Sequence, residues 1–337
     1  MKSLICVKPG EFAMVETKEP LENAGHSILR LERLGICGTD YHAFGGNQPF
    51  FNYPRILGHE IAGRIEQTGS ELFKVGDRVT VSPYIYCGKC IACRNSKTNC
   101  CVSMNVIGVH SDGGMQEYIS VPNHLLIHGN GLEPDQLALV EPLAIGAHGV
   151  AKANVLPGEN VLIIGAGPIG LATADFVRIA GGRVIIMDVA IEKLEFCRKI
   201  MGFIDTVHAV SEDTYLQLSV LTNGEMPTAI FDCTGNLQAI ECGFTYLAHS
   251  ARYVMIGLQK QEISFNHPEF HKREATLMSS RNALPKDFEH VINSIKNGDI
   301  QTENYITHRI DFEDVKEQFS SLRQPGETVV KALIHFS

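Results

Sequence analysis

The chain has 337 residues, 44% hydrophobic and 20% charged, a globular composition spread over a length that predicts two domains rather than one ordinary core. A formal charge of -9 argues against a general nucleic-acid binder, which needs a basic face for phosphate, and the longest apolar stretches, such as residues 160–170, are broken well short of the ~20 residues a membrane span requires. Residues 1–9 read as a short strand rather than a leader, so the ten cysteines are expected to stay reduced in the cytoplasm and to favour metal over disulfide roles.

From residue 1 to about 146, short β-type runs (27–34, 61–68, 78–82 and 116–121) alternate with Gly, Pro and Asn turns, which predicts an irregular β domain. Within it Cys87, Cys90, Cys93 and Cys101 form a C-x2-C-x2-C-x7-C run. Four thiolates so close together can close a tetrahedral shell around zinc and leave no position for substrate, so this is expected to be a structural site. Cys100, next to Cys101, is an alternative fourth ligand on chemistry alone.

After Glu141 the pattern changes. Residues 142–153 read as a helix and 160–164 as a buried strand that runs into Gly165-Ala166-Gly167-Pro168-Ile169-Gly170. Helical signals at 171–180, 192–201 and 237–248 then alternate with strand signals at 183–187, 229–232 and 252–257, which predicts an α/β, doubly wound parallel sheet of the Rossmann type. The tail carries an amphipathic helix at 287–296 and a strand-like run at 329–336 that is expected to return to the first domain. The division so read is a discontinuous catalytic domain, 1–147 and 287–337, around a cofactor domain, 148–286.

Gly165, Gly167 and Gly170 follow a strand signal and precede a helical one, with Asp188 ending the next strand. In that context a G-x-G-x-x-G run is a dinucleotide fingerprint: the backbone turns tightly against a pyrophosphate, whose charge meets free N–H groups at the helix N-terminus. Pro168 and Ile169 belong to the same turn. Asp188 suits the ribose hydroxyls of NAD and would repel the 2′-phosphate of NADP, and neither Val189 nor Ala190 supplies a compensating arginine. Thr234, Gly257 and Leu258 follow later strand ends, where open α/β sheets place ligands.

Upstream, Cys37-Gly38-Thr39-Asp40-Tyr41-His42, Gly58-His59-Glu60 and later Glu141-Pro142 supply a thiolate, an imidazole and two carboxylates able to share one ion. With these motifs in this order, the chain resembles the zinc-dependent medium-chain dehydrogenases of the alcohol dehydrogenase superfamily, in their polyol, threonine and sugar-acid branch, over essentially its full length. The resemblance implies a GroES-like catalytic domain beside the Rossmann domain, two Zn2+ per chain, NAD, and a homodimer or homotetramer acting on a small-molecule alcohol.

It further implies that Cys37 and His59 bind the catalytic zinc and that Glu60 does so in this branch. Glu141 stands where alcohol dehydrogenases of the parent type have a cysteine, which leaves open whether it ligates, exchanges with Glu60 or acts from behind the ligands. Glu60 ranks first. Thr39 matches the hydroxyl that relays the alcohol proton, His42 the acceptor further out, and Asp40 a residue orienting the ligating imidazole. Family spacing selects Cys101 over Cys100.

Residues 45–51, 267–272 and 279–282 resemble L-galactonate oxidoreductases and related sugar-acid dehydrogenases. Asn47 could hydrogen-bond a polyhydroxylated chain, and Arg55 or Arg281 could grip a carboxylate. Phe50 and Phe51 suit packing better. The expected reaction is reversible NAD-linked oxidation of a secondary alcohol on a sugar acid or polyol. An L-threonine or sorbitol dehydrogenase would share every metal and NAD residue, and a noncatalytic zinc-binding module is the reading from another class.

Overall fold

Strand His26–Ile36 sets the architecture of the first unit: Ser27, Leu29 and Leu31 are buried while the residues between them are partly exposed, the period of two that a half-buried strand requires, and a register shift after Leu31 leads into the buried run Leu34, Gly35 and Ile36. In the computed structural model, which describes residues 1–48, 51–210, 213–323 and 329–337, this strand pairs antiparallel with Glu60–Thr68, Tyr118–Pro122 and Lys331–His335. Arg78–Val81, Leu126–His128 and Ile306–Asp311 complete its seven-stranded sheet, and Lys2–Lys8, Glu11–Glu16 and Arg55–Ile56 form a smaller one. The unit comprises Met1–Glu141 and Leu284–Ser337. Its core is aliphatic along the sheet, with Phe12, Phe44 and Phe319 packed ring against ring at 4.7–5.2 Å.

The second unit, Pro142–Ala283, is a six-stranded sheet in which every neighbouring pair is parallel. Numbered along the chain, its strands are Asn160–Ile164, Arg183–Asp188, Thr206–His208, Ala229–Asp232, Arg252–Met255 and Thr276–Ser279, and they lie in the order 3-2-1-4-5-6. That order reverses direction between the first and fourth strands, the switch point at which doubly wound sheets take ligands. The first and fourth strands are almost wholly buried, and the second is buried from Ile185 to Asp188, because helices cover both faces.

Several elements differ from the sequence expectation. The helix after the glycine turn begins at Pro168 and ends at Ile179, since proline is tolerated in a first helical turn where its missing N–H has no partner to lose. The expected helix 237–248 is α-helical only over Leu237–Gly243 and continues as a 3-10 turn, Phe244–Tyr246. Among the described residues no helix is long and apolar enough to cross a membrane.

Candidate functional site

Cys37 follows strand His26–Ile36 and caps the helix Gly38–Phe44. Asp40, 1% exposed, ties this corner to the next motif: one oxygen accepts from the Cys37 backbone N–H at 2.8 Å and the other from Gly58 N–H at 3.1 Å. Gly58 holds φ +94° with Leu34 2.5 Å from where a Cβ would sit, so only glycine fits the turn that presents His59. Glu60 opens the neighbouring strand directly opposite Gly35, and a Cβ on Gly35 would stand 1.9 Å from Glu60 Oε2. Two glycines thus make the room in which His59 and Glu60 reach Cys37.

One donor atom from each of Cys37, His59 and Glu60 lies within 4.8 Å of the others. His59 Nδ1 is buried without a hydrogen-bond partner, 3.9 Å from Asp40 Oδ1. Burial opposes charge on the His59 ring, yet Cys37, Asp40 and Glu141 around it raise its pKa well above the ordinary value. Burial raises the carboxyl pKa of Asp40 and of Glu141. A thiol, an imidazole and three acids in one buried space, with a single ammonium among them, form a donor set with an excess of negative character that a divalent cation relieves. The residues therefore fit zinc.

That ammonium belongs to Lys331, which sequence reasoning missed. It is 2% exposed, and its Nζ donates to Glu60 Oε1 at 2.6 Å, to Glu60 Oε2 at 2.7 Å and to the Ile36 carbonyl at 3.2 Å. Tyr84 was missed as well. Its hydroxyl donates to Glu141 Oε1 in the first turn of helix Val140–Ala153, and both residues are buried.

The second cluster gathers Cys87, Cys90, Cys93 and Cys101. The Cys90 sulfur lies 3.5 Å from that of Cys93 and 4.0 Å from that of Cys101, bracketing the ~3.8 Å edge of a tetrahedron with Zn–S bonds of about 2.3 Å. Backbone N–H groups of Cys93 and Val102 hold the Cys90 thiol down to about 6, whereas burial pushes Cys93 up to about 12. Cys101 is buried inside the group and Cys100 is exposed outside it.

In the second unit Gly165 adopts φ +102° and Gly167 caps the helix Pro168–Ile179. Asp188, 8% exposed, braces this turn: its oxygens accept from Ala166 N–H at 2.7 Å and Ala190 N–H at 2.9 Å, leaving further lone pairs for ribose hydroxyls. Lys193 Nζ stands 4.0 Å from the same carboxylate. Asp232, wholly buried and unmarked by the sequence reading, accepts from Thr234 N–H, the Thr234 hydroxyl and Gly235 N–H. It fixes the loop that faces Gly257 and Leu258, where a Cβ on Gly257 would lie 2.2 Å from Gly235 N. Leu258 and Gly235 border an open cleft of about 700 Å³.

Gly170 makes the sharpest demand, since a Cβ there would lie 1.8 Å from the Gly165 carbonyl oxygen. Gly170→Ala is expected to weaken NADH binding at least about tenfold by forcing helix and turn apart, as measured by fluorescence titration.

Thr39 is half-buried and His42 exposed, one helical turn apart on Gly38–Phe44. Asn47 is exposed and donates its backbone N–H to the His42 carbonyl. Arg55 has an acidic partner, Asp112 Oδ1, at 3.4 Å. Arg281 is exposed in the second unit, and Phe51 packs on Tyr53, while Pro49 and Phe50 lie outside the described residues.

Residues 23–130 match the alcohol dehydrogenase GroES-like domain and residues 168–297 the zinc-binding dehydrogenase family. The chain is 39% identical to L-galactonate-5-dehydrogenase of Escherichia coli K12, over 100% of its own length and 99% of the relative's. The chain belongs to the zinc-dependent medium-chain alcohol dehydrogenase family. Another family member, the sorbitol dehydrogenase of Halalkalibacterium halodurans, is 29% identical over 98% of both chains. Among solved structures of the family, the alcohol dehydrogenase rspB of E. coli CFT073, complexed with NADH, superposes with a TM-score of 0.93 at 30% identity, covering 100% of this chain and 99% of that one.

Proposed function

We propose that the protein is a zinc-dependent, NAD-linked dehydrogenase that reversibly oxidises a secondary alcohol on a sugar acid of the L-galactonate type or on a polyol. The observation that carries this reading is the Cys37–His59–Glu60 cluster, with His59 and Glu60 buried and Cys37 half-buried: three donors of different chemistry with no fourth among the described residues, the pattern of a catalytic rather than a structural zinc site. Cys87, Cys90, Cys93 and Cys101 hold the second, structural zinc. When bound, zinc acts as a Lewis acid on the alcohol and NAD accepts the hydride.

The chain's own residues position the substrate and move the proton. Thr39, half-buried beside Cys37, relays the hydroxyl proton by accepting it while giving up its own, and His42, a turn further out and exposed, takes the released proton on to solvent. Asp40 orients the cluster by pinning the backbone at Cys37 and Gly58. Gly165, Gly167, Pro168, Ile169 and Gly170 cradle the pyrophosphate at the start of a 12-residue helix, and Asp188 takes the adenosine ribose. Thr234, Gly257 and Leu258 line the remaining dinucleotide path, while Asn47, Arg55 and Arg281 are the candidates for a hydroxylated, carboxylated substrate. Residues 1–147 with 287–337 act as the catalytic domain and 148–286 as the NAD domain, in a cytoplasmic homodimer or homotetramer.

The test is an NAD-against-NADP comparison over a panel of aldonates, polyols and L-threonine, with zinc counted per chain. Turnover of an aldonate or polyol with NAD and two ions per chain, one for each cluster, is the expected result. Preference for L-threonine would reassign the substrate. One ion and no turnover would support a noncatalytic zinc module instead.

A further inference from the structure

The space around Cys37 and His59 contains two glutamates, and the fold restrains them by different means. Glu60 is gripped at both oxygens by the Lys331 ammonium and still offers an atom to the donor cluster. Glu141 is close enough to influence His59 and Glu60 electrostatically, yet it stands outside that cluster, and its Oε1 accepts the Tyr84 hydroxyl. Glu141 and Tyr84 are 4% and 5% exposed, so neither exchanges its partner for bulk water at little cost.

Tyr84 is itself firmly placed. It lies in strand Tyr84–Ile85, paired with Val106 of Asn105–Val106, three residues before Cys87 of the four-cysteine cluster, and its ring meets Phe288 edge to face at 6.4 Å. A neutral phenol shares a lone pair of one oxygen and leaves the charge of the carboxylate intact. Released from Tyr84, Glu141 would be a competent zinc ligand, and a fourth protein donor converts an open catalytic shell into a closed structural one.

We propose that Tyr84 is a positioning residue that holds Glu141 out of the metal's ligand set and so keeps open the coordination position that the alcohol needs. The inference rests on the proposed function, because it presupposes zinc at Cys37, His59 and Glu60. It adds a role for a residue outside the ligand motifs and assigns Glu141 to a restrained reserve position.

Cobalt substitution tests it without relying on turnover. Wild-type protein loaded with Co2+ at the Cys37 site is expected to change its visible spectrum when azide is added, because azide enters the open position. In Tyr84→Phe the azide response is expected to be lost and metal release to a chelator to slow about tenfold, with kcat lower by a similar factor and NADH affinity unchanged. Tyr84→Phe/Glu141→Gln is expected to regain the azide response, since a neutral amide is the poorer ligand; a merely structural defect would not be rescued so. A Tyr84→Phe protein that keeps the wild-type azide response and release rate overturns the inference, as does a double variant that stays closed, while either leaves the proposed function standing. Wild-type protein that takes no ion at Cys37 overturns both.

Discussion

Cys37→Ser is expected to lower kcat/KM by about three orders of magnitude, equivalent to about 4 kcal/mol of transition-state stabilisation. Cysteine enters a zinc shell as a thiolate, whereas a serine hydroxyl stays protonated near neutral pH and is a poor ligand. The substitution therefore removes one of three clustered donors. Residual activity comes from whatever binding and orientation survive. NADH affinity is expected to stay within about twofold, because the glycine turn belongs to the other unit and shares no residue with the cluster. Zinc analysis should show one ion lost and the four-cysteine ion retained. Full turnover by zinc-depleted Cys37→Ser protein would remove Cys37 from the reaction.

The second large effect falls on stability. In zinc-free protein, Lys331→Met is expected to destabilise the first unit by about 3–5 kcal/mol, because it leaves the wholly buried Glu60 carboxylate with neither the metal nor the ammonium beside it. Two units make a single unfolding free energy ill-defined, and the chain has no tryptophan, so urea melts followed by near-UV tyrosine signals and by far-UV circular dichroism are the appropriate pair. Lys331→Met/Glu60→Gln should recover most of the loss, since neither charge then remains buried alone. Wild-type melts in the single variant would show that Glu60 does not need the ammonium.

Much of this molecule was legible in its sequence, for definite reasons. The strand Asn160–Ile164 announced itself as an apolar run ending in a glycine turn, and Ala229–Asp232 as a four-residue run between polar segments; both are fully or almost fully buried. The donors Cys37, His59 and Glu60 came from motif and resemblance, and the fold brings them together. Thr206–His208 escaped notice because three residues show no period, and Thr214–Leu221 because its apolar side chains are not confined to one face, with Tyr215, Leu216 and Val220 exposed.

Lys331, Tyr84 and Asp232 escaped for another reason. A lysine within Val329-Val330-Lys331-Ala332-Leu333 reads as a charge on the solvent side of a strand, and a lone tyrosine or aspartate at a strand end reads as edge polarity. Each acquires its role only through a partner brought near by tertiary packing: Glu60 for Lys331, Glu141 for Tyr84 and the Thr234–Gly235 turn for Asp232. Local pattern contains no record of such pairings.

The strand that delivers Lys331 joins the chain's early and late portions, and the ammonium meets a carboxylate 271 positions earlier. During synthesis the ribosome must therefore carry Lys331 out of its tunnel before Glu60 can be neutralised and the Cys37 corner can settle. The parallel sheet in between depends on no such late arrival and can mature while its host waits. A nascent polypeptide stalled before residue 331 would hold an ordered nucleotide fold inserted into a sheet whose acid is still looking for its base.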